Sequence, residues 1–276
     1  MNPIKHHLAH ELRLLLLALQ FFTRVPITGR LAAWMGWDAT WLNQSARYFP
    51  LVGAFVGAVA ALVLAVAAML WPMPVAVGLS MAATILLTGA FHEDGFADTC
   101  DGLGGSAERA RALEIMKDSR IGAYGAIGIV VMLGLKALVL ASLPLGWVLA
   151  ALCVAHTLSR AVAVSLNCWL PYAGDPAHAK AKPLAQRVSV GSWAVACAWP
   201  LALITLFAAA RHGSDSFALP SPQAWAAALV AAAVTGLACA RWFRRRLGGV
   251  TGDTLGASQQ LSELAVYLAL LAMLGR

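Results

Sequence analysis

The chain has 276 residues, 60% of them hydrophobic and 12% charged, with Lys and Arg (20) outnumbering Asp and Glu (13). A soluble domain carries about 25% charged residues, so this balance and a mean hydropathy of +0.73 exclude a water-soluble enzyme and point to an all-α, polytopic integral membrane protein. Five cysteines with no Cys-x-x-Cys pair argue against structural zinc and a disulfide framework.

The first ten residues, MNPIKHHLAH, are polar and do not read as a secretory signal. The apolar run 12–22 is too short to cross a bilayer, which takes about 20 residues, and is expected to form an interfacial or re-entrant helix. His6, His7 and His10 are expected at that interface rather than on a metal. Two spans follow, 49–71 and 73–91, separated by Trp71-Pro72-Met73-Pro74. Residues 48 to 90 contain no Asp, Glu, Lys or Arg.

The stretch FHEDGFADTCDGLGG then brings Glu93, Asp94, Asp98 and Asp101. Asp94, Asp98 and Asp101 follow at i, i+4 and i+7, which is one face of a helix. Like charges so spaced repel by about 0.2–0.5 kcal/mol per pair on an exposed helix. One charge at mid-membrane costs about 2.5–3.5 kcal/mol. A bound cation would offset that cost; a solvated helix end is the plain alternative. Hard oxygen ligands suit Mg²⁺, Mn²⁺ or Ca²⁺, and Mg²⁺ is commonly held by few carboxylates together with substrate phosphates. Gly102 and Gly105, with Gly95 and Gly104, would let a ligand approach the backbone. His92 is a candidate proton carrier beside the cluster.

The next loop, IMKDSRIGAYGAIG, holds Glu114 and Asp118 at i, i+4 with Lys117 and Arg120 beside them. Such cations can clamp phosphate oxygens while a metal neutralises others. Gly122, Gly125 and Gly128 open the third span and are expected to serve helix packing. Spans 123–143 and 147–170 contain Lys136 and Arg160, both expected to face the bundle interior. Arg160 lies about 15 Å from the cytoplasmic helix end by helical rise. It is a candidate lining residue for an anionic substrate, with snorkelling or a buried pair as the alternative.

Spans 189–210 and 222–240 lead to RRRLGGVTGDTLGASQQLSE. Gly249, Thr251, Gly252 and Asp253 belong to a Gly-rich turn that lacks the Lys of a Walker loop. Its N–H groups could still bind phosphate, and Arg244 to Arg246 could anchor to anionic lipid. A short last run, 261–274, makes about seven transmembrane helices plus the N-terminal interfacial one. The chain reads as one catalytic domain, 1–276.

Basic residues are unequally shared between the two sides. Lys5, Arg13, Arg24, Arg30, Arg47, Arg109, Arg111, Lys117, Arg120, Lys180, Lys182, Arg187, Arg241, Arg244, Arg245 and Arg246 fall on one side; Arg211 and Arg276 fall on the other. The positive-inside rule places the first side, with the N-terminus and the carboxylate loops, in the cytoplasm.

The motifs FTRVP, RYFPLVG, HEDGFADTCDGLGG, IMKDSRIGAYG, PYA and LGGVTGDTLGA occur in this order between about residues 20 and 265. Together they resemble the adenosylcobinamide-GDP ribazoletransferase, or cobalamin synthase, family. The resemblance implies a multi-pass enzyme of the prokaryotic cell (inner) membrane, dependent on Mg²⁺. It implies transfer of the adenosylcobinamide phosphoryl group from adenosylcobinamide-GDP to α-ribazole or its 5′-phosphate, with release of GMP. On that basis Asp94, Asp98 and Asp101 are expected as metal ligands and Asp118 as a further ligand or base. Lys117 and Arg120 would stabilise departing GMP. Asp253 would complete a second metal site or bind a ribose hydroxyl. Membrane lipid and other corrinoid-pathway enzymes are the expected partners, with no nucleic acid.

Two alternatives compete. Asp-Gly-x-x-Ala also resembles the CDP-alcohol phosphotransferases, but Asp98 stands where their motif has Arg, and their later Gly-x-x-x-Asp-x-x-x-Asp is absent. A cation transporter would need carboxylates near mid-membrane, whereas every Asp and Glu is expected outside the span centres.

Overall fold

The computed structural model describes residues 3–174, 188–211 and 218–275. Lys180, Lys182, Arg187 and Arg276, which entered the comparison of the two sides, lie outside the described residues. Among the described residues the chain is helical, and its one extended feature is an isolated bridge between Tyr172 and Val250.

Helix α1, Pro3–Phe22, buries Leu14, Leu17, Ala18 and Phe22 while Leu8 and Leu12 stay exposed. The buried spacing is one helical face. Helix α1 thus begins well before the apolar run and is not among the helices apolar enough to cross a membrane. The histidines do not gather there: His10 Nε2 lies 2.9 Å from Gln44 Oε1, and His7 lies 3.9 Å from Glu11. Short helices α2 (Gly29–Met35) and α3 (Ala39–Ser45) lead through a tight turn into α4, Phe49–Ala67.

Helix α5, Met73–Thr88, ends three residues before the predicted span does. Gly89 (φ 67°) and Ala90 (φ 58°) both take the left-handed conformation, and the chain turns by 89° into α6, Phe91–Gly105. For Ala90, whose Cβ crowds the carbonyl there, this costs about 1–2 kcal/mol. Gly89 has no such penalty, and its missing Cβ leaves room for the Arg24 guanidinium.

Helix α7 (Arg109–Lys117) returns to α8 (Ala123–Ala141), and α9 (Leu145–Trp169) runs through the middle. In its most apolar stretch 78% of residues are buried, against 11% in the peripheral α10 (Val190–Arg211). Helices α4 and α9 touch backbone to backbone. A Cβ on Gly53 would overlap the His156 carbonyl, and one on Gly57 would meet Leu152 O at 2.5 Å, the small-residue contact that packs membrane helices.

Helix α11, Pro222–Leu247, starts with Ser221 as N-cap and Pro at its first position and stops at left-handed Gly248. Helix α12, Gly252–Ala272, is not the short apolar seventh span expected over 261–274. It begins nine residues earlier, and its polar residues Ser258, Gln259, Gln260, Ser262 and Glu263 are buried in the bundle. Among the described residues five helices are long and apolar enough to cross a membrane, or six counting the bent α5–α6 pair. The protein is an all-α, polytopic membrane protein, although seven spans are not reached by length and composition.

Candidate active site

Helix α6 carries the carboxylates, and three other elements pack around it. Where α6 crosses α12 there is no room for side chains. A Cβ on Gly95 would lie 3.0 Å from Asp253 Cα, and one on Gly256 would lie 3.3 Å from His92 O. The two carboxylate-bearing motifs are thereby joined, with Asp253 in the first turn of α12 against α6. Asp94 is exposed and Asp98 half-buried on the adjoining face.

Asp101 has a different job from Asp94 and Asp98. Its carboxylate is buried and accepts hydrogen bonds from Gly122 N at 2.7 Å and Gly125 N at 2.8 Å. It caps α8 from a neighbouring helix, satisfying first-turn N–H groups that have no partner within α8 and adding negative charge at the positive end of the dipole. Gly122 and Gly125 are glycine because a Cβ at either would strike this carboxylate. Among the described residues no three His, Cys, Asp or Glu side chains are gathered to hold a metal. Asp94 and Asp98 share a face of α6 and carry hard oxygen donors of the kind that could hold Mg²⁺ together with substrate phosphates.

The glycine and threonine expectations need correction. A Cβ on Gly102 would meet Met116 and the Ala112 carbonyl, so Gly102 lets α7 pack and is closed to a ligand. Gly249 lies against the Pro171 carbonyl, where Val250 N donates to Pro171 O and Ala173 N donates to Val250 O at 2.9 and 2.8 Å. Thr251 is the N-cap of α12: its Oγ1 accepts from Thr254 N, and its own N–H donates to Thr254 Oγ1 at 2.8 Å, a capping box. The Gly-rich turn therefore holds itself and the PYA motif in place. Arg246 is likewise no lipid anchor, since it donates to Leu103 O and Ser106 O at the end of α6.

The remaining expected residues fall into two groups. Gly105, Asp118 and Arg120 line one polar cleft with Asp101, between α6, α7 and α8. Arg120 forks onto Asp118, with Nη2–Oδ2 at 2.6 Å and Nε–Oδ1 at 3.0 Å. The carboxylate bonds push the guanidinium pKa further up. Lys117 is exposed nearby. His92, Arg160 and Gly252 line a second cavity with Phe21, Phe22, Phe49 and Phe91. His92 stacks on Phe22 with ring centroids 5.4 Å apart.

Lys136 and Arg160 face inward as expected, 5% and 2% exposed. The sequence reading missed what receives Lys136. Glu263 takes Lys136 Nζ at 2.7 Å, Gln259 Nε2 at 2.6 Å and the Tyr267 hydroxyl at 3.2 Å, and His156 Nδ1 lies 3.1 Å away. Lys136 also donates to Gln260, which donates to Glu93 at 3.0 Å. Glu263 is thus buried in the bundle, 3% exposed. The available signal was a lysine in mid-span that required a partner and a polar SQQLSE run opening an apolar one.

Residues 14–271 match the family model described as cobalamin-5-phosphate synthase. The adenosylcobinamide-GDP ribazoletransferase of Leptothrix cholodnii is 57% identical over 96% of this chain and 97% of its own length. Those of Albidiferax ferrireducens and Shewanella amazonensis are each 46% identical, over 92% and 95% of this chain and 96% of their own lengths. No solved structure matches. With the match running from within α1 to the end of α12, the chain belongs to the cobalamin-5-phosphate synthase family.

Proposed function

We propose that this protein is an adenosylcobinamide-GDP ribazoletransferase, joining α-ribazole or its 5′-phosphate to the cobinamide phosphate and releasing GMP. The observation that carries this reading is the α6–α12 crossing. It brings the His-Glu-Asp-Gly and Gly-Gly-Val-Thr-Gly-Asp blocks together through Gly95, Asp253 and Gly256, in a chain 57% identical to a relative of that name.

A ribazole hydroxyl attacks the phosphorus that bears the cobinamide, and the bond to the GMP oxygen breaks in line. Such transfers depend on positioning and on neutralising charge. Asp94 and Asp98 would hold Mg²⁺, which neutralises phosphate oxygens when bound. The first turn of α12 directs its dipole at the same anionic group, and Asp253 orients the ribose hydroxyl. Arg120 and Lys117, at the other end of α6, receive the departing GMP phosphate; Arg120 exchanges its Asp118 carboxylate for it with the same planar fork. Asp118, released, takes up the proton that the attacking ribazole hydroxyl loses.

The N-terminus and both ends of α6 face the cytoplasm in this reading, in the inner membrane of a prokaryotic cell. The test is the purified protein in lipid with Mg²⁺, adenosylcobinamide-GDP and α-ribazole. GMP and cobalamin should form together and both should stop on chelation. Folded protein that yields neither would sink the reading.

A further inference from the structure

The cavity at the start of α6 is built differently from the polar cleft at its end. Four phenylalanines line one part of it, Phe21, Phe22, Phe49 and Phe91, from α1, α4 and α6. One cation is set into this apolar wall. Arg160 is 2% exposed, and its Nε has no hydrogen-bond partner. Its Nη1 donates to the His156 carbonyl at 2.9 Å, and the guanidinium lies 6.0 Å from the Phe22 ring centroid. Among the described residues no carboxylate lies within ion-pair distance of it. Two carboxylates act on it from further away: Glu263, engaged by Lys136, Gln259 and Tyr267, and Glu93, which accepts from Gln260. Burying an ion is costly unless an opposite charge or hydrogen bonds compensate it. A buried guanidinium with an unused N–H at the wall of a cavity is therefore a site for an anion, and the surrounding rings are a site for a flat π-system.

We propose that this cavity seats a flat heteroaromatic ring carrying a phosphate, with the ring among Phe21, Phe22, Phe49 and Phe91 and the phosphate on Arg160. Resting on the transferase reading above, the occupant is the ribazole half of the substrate pair. Arg160 is then the residue that distinguishes ribazole 5′-phosphate from ribazole. The placement suits the reaction, because Phe91, Asp94 and Asp98 follow at i, i+3 and i+7 on one face of α6. The two carboxylates lie about 5 and 10 Å along the axis from Phe91 by helical rise, about the reach of a ribose attached to a ring seated there.

The test is equilibrium binding by calorimetry, in detergent without Mg²⁺ or corrinoid, of benzimidazole, α-ribazole and α-ribazole 5′-phosphate. Wild type should bind all three, the phosphate most tightly. Arg160→Gln should weaken the phosphate on the order of 30-fold, the loss of a charge-assisted hydrogen bond, and leave α-ribazole unchanged. Arg160→Lys, which keeps the charge, should recover part of that loss and serves if the glutamine variant does not fold. Phe22→Leu should weaken all three ligands by about tenfold, the worth of one aromatic contact. Equal loss of α-ribazole and its phosphate in the Arg160 variants, no loss in either, or no binding by wild type overturns the assignment. GMP release measured on the same preparations judges the transferase reading separately: turnover with unaltered ribazole binding in the variants rejects this pocket alone.

Discussion

Two ion pairs of nearly equal length sit in opposite surroundings. Arg120–Asp118 closes at 2.6 Å with side chains 86% and 39% exposed; Lys136–Glu263 closes at 2.7 Å with side chains 6% and 4% exposed. Length does not distinguish them; surroundings do. Water solvates the partners of the first pair whether or not they meet, so they can separate and take a phosphate instead. The second pair has no water to fall back on, and Gln259, Gln260 and Tyr267 fill its remaining hydrogen-bond positions. One pair suits exchange with substrate, and the other suits holding α8, α9 and α12 together.

The contrast is broken most severely by removing one buried partner. Glu263→Ala leaves Lys136 charged in the bundle and should destabilise the protein by about 3–5 kcal/mol, seen as a large fall in thermal midpoint in detergent. Adding Lys136→Met should recover much of the loss, and additive losses would show the two do not act as a pair. Next in size is Asp98→Asn. It should lower GMP release by about 100-fold or more, the scale for losing charge stabilisation at a reacting phosphate, with folding and expression retained; unchanged turnover would remove Asp98 from the metal-binding set. Asp101→Asn is expected to act on stability, because one of the two N–H groups at Gly122 and Gly125 then faces an amide NH₂. A loss of about 1 kcal/mol is the scale of a helix cap, and hydrogen exchange should quicken first at the start of α8. The smallest change is expected for Asp118→Asn, with no measurable shift in thermal midpoint. Its effect should appear in GMP release and in salt sensitivity, and a clear fall in midpoint would contradict the distinction between the two pairs.

The α6 carboxylates show how far spacing can be read. Asp94, Asp98 and Asp101 do share a helical face, as their i, i+4, i+7 positions required, because a helix is a local structure. Their equal treatment as metal ligands did not carry over. Asp101 meets Gly122 and Gly125, more than twenty residues away, and only the approach of α8 makes it a cap. The Gly-rich turn has the same history. Glycines at 249 and 252 with Thr251 and Asp253 can cradle phosphate or brace a chain, and the bridge to Pro171 and Ala173 selects bracing for Gly249 and Thr251.

The apolar runs, their breakers and the inward-facing Lys136 and Arg160 were determined by sequence alone, since hydrophobic length and the cost of a charge in hydrocarbon are properties of single segments. The 89° turn after Thr88 was marked by no breaker stronger than Gly89, and it rests on Arg24 seated over that glycine. The partner of Lys136 is 127 residues away, and the rings around Arg160 come from three separate helices. Such pairings depend on which helices become neighbours, so tertiary structure decided which polar residues brace the bundle and which face a ligand.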